Sequence, residues 1–197
     1  VILPSSSPKD TLSRVFPAFV TDERLLVLIH LLKFARRERL APWLAAAMAP
    51  HLPDFSRAAG LGELVVVPVP MDRGAQLRRG FNQAEGIARV LASNWRLALE
   101  TRALIKVRAT KAQSTLGRGE RLVNVEGAFQ ADPNVVRNLD IILVDDLVTT
   151  GATLRACAAA LGGAGARRVV AVCAGYRDER APETGAFLNL DNDFRSE

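Results

Sequence analysis

The run Ile141-Ile142-Leu143-Val144-Asp145-Asp146 leaves few architectures open to this chain. Consecutive apolar side chains without alternation predict a strand buried on both faces, as at the centre of a parallel α/β sheet. Two carboxylates then stand at its carboxyl end, where open α/β sheets bind ligands. Thr149-Thr150-Gly151-Ala152-Thr153 follows as a small hydroxylated turn. Leu154, Cys157, Ala158 and Leu161 then recur at the spacing of one helix face, which Gly162-Gly163 ends. Such a loop entering a helix makes a phosphate cradle, because backbone N–H groups, threonine hydroxyls and the positive end of the helix dipole converge there. Acids beside an anion site are compatible if the ligand is a sugar phosphate: the aspartates take ribose hydroxyls, directly or through Mg2+, and the loop takes the phosphate. An ordinary strand-turn-helix with a solvated acid pair accounts for each feature singly. Their joint order within 13 residues favours a site.

The rest of the chain bounds this reading. At 197 residues and 49% hydrophobic content it suits one α/β domain with an appendage. No segment approaches the apolar length of a membrane helix and the amino end lacks a signal pattern, so the expected compartment is the cytoplasm. Residue 1 is not Met, so it is not taken as the native start. Cys157 and Cys173 read as small core residues, and with two distant histidines no structural zinc is expected. The +5 formal charge suits a polyanionic small molecule and equally a nucleic acid.

In chain order, Val1 to Asp10 is rich in Ser and Pro and is expected to be loosely held. Thr21 is the expected cap of a helix bearing Leu25, Leu28, Ile29 and Leu32, and Pro42 opens a second helix with Trp43, Leu44, Ala47 and Met48 on its apolar side. Between them, the basic run Lys33 to Arg39 reads as solvated surface ahead of a binding patch. These helices form the expected hood over residues 1–60. Leu64 to Val69 begins the main domain, 61–175, as a strand stopped by Pro68-Val69-Pro70. A basic loop with Asp72, Arg73, Arg78, Arg79 and Gly80 follows, then a helix capped by Asn82 with Glu85. Ala103 to Val107 is a short strand, and Lys106 to Val125 has no apolar period, which suggests a long lid-like loop. Val123 to Phe129 is expected to return as a strand, Asp132 to Asn138 as a linker, Arg168 to Ala174 as a buried strand, and 176–197 as a polar tail.

The central stretch resembles the phosphoribosyl-pyrophosphate (PRPP) motif of the type I phosphoribosyltransferases, with Ala152 where many members have a second glycine. A narrower resemblance, to the competence-protein ComF (GntX) family, runs from about Leu28 to Gly175. It rests on Leu32-Lys33-Phe34, Val67-Pro68-Val69-Pro70, Arg79-Gly80-Phe81-Asn82-Gln83-Ala84, Arg108-Ala109-Thr110 and Arg121 with Asn124-Val125. Family members usually carry an amino-terminal four-cysteine zinc ribbon, which this sequence lacks, and Gly74-Ala75 stands where relatives tend to be more basic. The resemblance implies a mostly parallel sheet flanked by helices with a small amino-terminal hood. It implies Asp145 and Asp146 at the ribose hydroxyls and indirectly at Mg2+, and Thr149, Thr150, Gly151, Ala152 and Thr153 at the 5′-phosphate. Arg73, Arg78, Arg79 and Lys106 would face pyrophosphate, with Arg108 and Arg121 joining the acids in catalysis as lid cations. The implied activity is phosphoribosyl transfer from Mg2+-bound PRPP to an unidentified nucleophile, with no general base evident. The rival is a non-catalytic PRPP or nucleotide sensor working beside a DNA-uptake protein. Direct single-stranded DNA binding ranks last, since the basic loops hold no aromatic platform.

Overall fold

The computed structural model describes residues 11–34, 39–55, 64–110 and 124–177. Its frame is a five-stranded, wholly parallel sheet in the order β1-β7-β6-β2-β3. The strands are β1 (Leu12–Val20), β2 (Leu64–Pro68), β3 (Ala98–Leu99), β6 (Asp140–Val148) and β7 (Arg168–Tyr176). A separate antiparallel ribbon joins β4 (Leu104–Lys106) to β5 (Phe129–Ala131). Central β6 is the strand expected from Ile141 to Val144, all four of which are sealed from solvent.

Alternation along β6 sends Ile141 and Leu143 into one core and Ile142 and Val144 into another. Helix α6 (Ala152–Gly163), through Leu154, Cys157, Ala158 and Leu161, covers the first face together with the β4–β5 ribbon. Helices α1 (Glu23–Phe34), α2 (Leu40–Met48) and α4 (Gln83–Trp95) cover the second. The layering follows from the sequence: a strand apolar on both sides must bury both, and parallel neighbours need crossovers that supply the helices. Gly86 on α4 lets α2 approach closely, because a Cβ there would stand 2.8 Å from the Cβ of Ala41.

Several expectations are corrected. Residues 12–20 are not part of an appendage: β1 is an edge strand paired in parallel with β7, and α1 and α2 pack on the sheet itself. Pro17 disguised it, yet an edge strand tolerates proline because one side needs no ladder bond. Asp22, not Thr21, caps α1, its Oδ1 accepting the Leu25 N–H at 2.9 Å. Trp43 faces outward at 61% exposure, while Ala41, Leu44, Ala45 and Met48 form the buried side of α2. The basic loop after β2 is a helix, α3 (Arg73–Arg79), started by Asp72 and ended by left-handed Gly80. Asn82 does cap α4, but Glu85 pairs with Arg89 instead of closing a capping box. The returning strand is β5, later than expected, with Asn124 and Val125 in a helical turn, and the linker at Asp132 holds one turn, α5 (Pro133–Val136). The expected tail beyond Arg177 lies outside the described residues.

Candidate functional site

A cleft of about 330 Å3 opens at the carboxyl end of β2 and β6. Its floor is Asp145, Asp146 and Leu147; its walls come from the end of α1, the β2–α4 connection, the β4 ribbon and the start of α6. The two acids enter it differently. Successive strand residues point to opposite faces, so Asp145 stands over the α6 side and Asp146 over the α1 side. Asp146 is 6% exposed and pairs with Lys33, Nζ to Oδ1 at 3.0 Å. Asp145 accepts the Asp146 N–H at 2.8 Å, and Asp146 accepts that of Leu147 at 2.7 Å. Burial, reinforced by the Asp146 charge, raises the Asp145 carboxyl to about 7, with Lys33 and the backbone bond pulling the other way. Such a site holds one full negative charge readily and a second only if a cation or donors arrive. Asp140, the other acid of β6, lies at the far end of the strand, where Arg167 Nε reaches it at 2.8 Å.

Thr149, Thr150 and Gly151 form the turn between β6 and α6, and Ala152 and Thr153 open the helix. Gly151 takes φ 73° and ψ 7° at the N-cap of α6, and no side chain caps the helix from that position. A left-handed residue costs glycine little and other residues more. The Thr150 hydroxyl accepts the Ala152 N–H at 3.3 Å, and Arg155 on the first turn donates to the Thr150 carbonyl. The turn is thus fixed from inside, with Thr153 lining the cleft.

The candidate cations divide. Arg78, Arg79 and Lys106 line the cleft with the acids. Lys106 Nζ donates to the Thr110 hydroxyl at 2.7 Å, and burial lowers its pKa, opposed by the Asp72 charge. Arg108 is not among the lining residues: its guanidinium donates to the carbonyls of Asn124 and Glu126, at 3.1 and 2.6 Å. It pins together the two chain segments flanking 111–123. The backbone at Arg73 opens α3. Arg121 lies outside the described residues, as does most of the expected lid. Cys157 and Cys173 are buried thiols whose pKa burial pushes well up, so neither is poised for thiolate chemistry.

Reading the sequence missed Lys33, taken as solvated surface. The signal was present in its basic run, but its partner is 113 positions away and only the fold brings them together. The roles of Asn82 and Gln83 were also hidden. Asn82 Nδ2 donates to the Val69 carbonyl at 3.0 Å, and buried Gln83 reaches the Leu32 carbonyl at 3.5 Å. This block therefore holds the start of α4 against β2 and against the end of α1 that presents Lys33.

As to a metal, no cluster of three or more His, Cys, Asp or Glu side chains forms a cage among the described residues. Two adjacent carboxylates, one already paired with lysine, fit Mg2+ that keeps most of its oxygens from water and a bound phosphate, the usual mode for this ion. Among the described residues no helix is long and apolar enough to cross a membrane.

The phosphoribosyl transferase domain family matches residues 56–190. The chain is 35% identical over 151 residues to the DNA utilization protein YhgH of Salmonella typhimurium, covering 76% of this chain and 66% of that protein. It is 33% identical over 150 residues to YhgH of Escherichia coli K12, covering 74% and 65%. It is 36% identical over 107 residues to the competence protein ComFC of Bacillus subtilis, covering 54% and 42%. The chain spans just under two thirds of the length of its YhgH relatives. With the acid pair, the glycine-turned loop and four of the five sheet strands inside the matched span, the chain belongs to the phosphoribosyl transferase domain family, in its ComF branch.

Proposed function

We propose that the chain binds PRPP in the cleft at the end of β6 and transfers its phosphoribosyl group to a nucleophile supplied from solution or by a partner. The observation carrying this reading is the convergence on one cleft of the Asp145–Asp146 pair, Thr153 in the first turn of α6, and the cations Arg78, Arg79 and Lys106, with the left-handed Gly151 two residues before Thr153 at the helix N-cap. In this account the acids hold the ribose hydroxyls, and the Thr149–Thr153 turn holds the 5′-phosphate through backbone N–H groups and hydroxyls. Arg78, Arg79 and Lys106 meet the pyrophosphate, whose negative charge grows as it departs. The acid pair also steadies the positive charge that develops on the sugar as the pyrophosphate departs. Bound Mg2+ would supply further charge neutralisation on the pyrophosphate oxygens. Arg108 acts by holding the base of the loop and not by touching the reacting atoms. Because relatives carry the names DNA utilization protein and competence protein, we place the activity in the cytoplasmic handling of DNA taken up by the cell, beside a protein of that machinery.

A second reading, binding without turnover, has one observation in its favour: neither His30 nor His51 is among the described residues lining the cleft, which leaves carboxylates and Lys106 as its candidate bases. Calorimetric titration with PRPP and Mg2+, followed by a pyrophosphate-release assay over a panel of bases and nucleophiles, separates the two. Release with one acceptor establishes transfer; saturable binding with no release over the whole panel favours the sensor. Absence of PRPP binding contradicts both.

A further inference from the structure

Lys33 is the one cleft cation that belongs to the first helix, and its place is fixed by packing. Leu25, Ile29 and Leu32 anchor α1 in the core, and Gln83 meets the carbonyl of Leu32 one residue before it. The ammonium stands 3.0 Å from Asp146, with the two side chains 26% and 8% exposed. Removing one partner from such a pair leaves a poorly solvated charge, which costs more than the pair itself contributes. A bare divalent cation approaching Asp146 must therefore displace Lys33 and leave the ammonium without its counter-charge. A divalent cation carried on a polyphosphate brings anionic oxygens with it, and those oxygens can receive the displaced ammonium. The exchange is then charge-balanced: Asp146 turns from ammonium to the metal-and-sugar side of the ligand, and Lys33 turns from carboxylate to phosphate.

We propose that Lys33 is a specificity-determining counter-ion that makes the cleft accept a divalent cation and a pyrophosphate group together and reject the free cation. The proposal rests on the phosphoribosyl reading of the cleft and deepens it. Two features converge on it: the Lys33–Asp146 pair inside the cleft, and the absence of a third carboxylate grouped with the acid pair among the described residues, which leaves the metal dependent on oxygens that the ligand brings.

The test compares the parent protein with Lys33→Met and Lys33→Gln, both neutral, and with Lys33→Arg, which keeps the charge. Free Mn2+ binding is read by electron paramagnetic resonance, and magnesium pyrophosphate and Mg2+–PRPP binding by calorimetry. The neutral variants should bind free Mn2+ about fivefold tighter and magnesium pyrophosphate about tenfold weaker, since the same ammonium opposes the one and supports the other. Lys33→Arg should stay within about threefold of the parent on both. The opposite signs are the signature, because a merely structural role would weaken both ligands together. If Lys33→Met fails to fold by circular dichroism, Lys33→Gln carries the same expectation with a shorter, polar chain. Unchanged or weakened Mn2+ binding in a folded neutral variant overturns the proposal, as does unchanged pyrophosphate binding. The opposite-sign pattern in the neutral variants, beside a parent that gains nothing from the ribose of PRPP over magnesium pyrophosphate, supports the role of Lys33 and contradicts the phosphoribosyl reading. A parent that binds neither Mn2+ nor magnesium pyrophosphate contradicts both.

Discussion

At Asp145 a carboxylate follows four residues sealed from solvent, a position that packing alone would give to a hydrophobe. Its carboxyl is raised from 3.8 to about 7 by burial and by Asp146. A group raised on folding contributes stability that is present below its unfolded pKa and is lost as pH rises through the folded one. The window here is therefore about pH 4 to pH 7, and the unliganded protein bears the full cost above it. Asp145→Asn should stabilise the fold by roughly 1–3 kcal/mol at pH 8 and by much less at pH 5. Chemical denaturation at the two pH values checks this; a loss of stability at pH 8 would make the carboxylate a structural residue. Gly151 poses a different case. At φ 73° any other residue is strained, and a β-branched one most. Gly151→Ala should cost about 1 kcal/mol in stability, while its loss of affinity for inorganic phosphate and ribose 5-phosphate, read by calorimetry, should exceed tenfold, about 1.4 kcal/mol. Equal affinity for the variant and the parent would remove the turn from the phosphate site.

Among the elements, the contact of α2 with α4 depends on Gly86, where a side chain would meet Ala41. Gly86→Val should separate the helices and cost about 1–3 kcal/mol by overpacking, and Ala41→Gly in the same chain should recover part of it; additive losses in a double-mutant cycle would count against direct contact. The elements also show what the sequence could convey. Strand β6, the turn at Gly151 and α6 were legible because each is a local pattern: a solid apolar run, a left-handed glycine and a 3.6-residue period. Helix α3 was not, because its seven residues carry arginines and one glycine and show no apolar stripe; Asp72 and Gly80 at its ends were its only signals. Strand β1 was hidden by Pro17 and by an edge position that relaxes the burial pattern. Lys33 was legible only as part of a basic run, since nothing near it in sequence announces Asp146.

Taken whole, the molecule places its chemistry by topology. All five sheet strands run parallel, so β2 and β6 end on the same side, and the helices that follow them start there. One end of the sheet thus gathers the acid pair and the α6 N-terminus, while α1 and the β4 ribbon bring cations to it from opposite faces. The far end is closed by Asp140 with Arg167 and Arg168, an arrangement suited to stability. A ligand spanning the acids and the turn should stabilise the whole fold by mass action, by about 2.7 kcal/mol at a hundredfold excess over its dissociation constant; a thermal shift that rises with PRPP only when Mg2+ is present would match the account. The proposed function needs one cleft to hold ribose by Asp145 and Asp146 and phosphate by the turn at Gly151. Calorimetric titration of PRPP with Mg2+, ribose 5-phosphate and inorganic phosphate into the parent, Gly151→Ala and the double variant Asp145→Asn with Asp146→Asn tests it directly. Gly151→Ala should weaken all three ligands, and the acid variant should lose PRPP and ribose 5-phosphate while keeping inorganic phosphate. A parent that fails to bind PRPP, or variants that lose all three ligands alike, would contradict it.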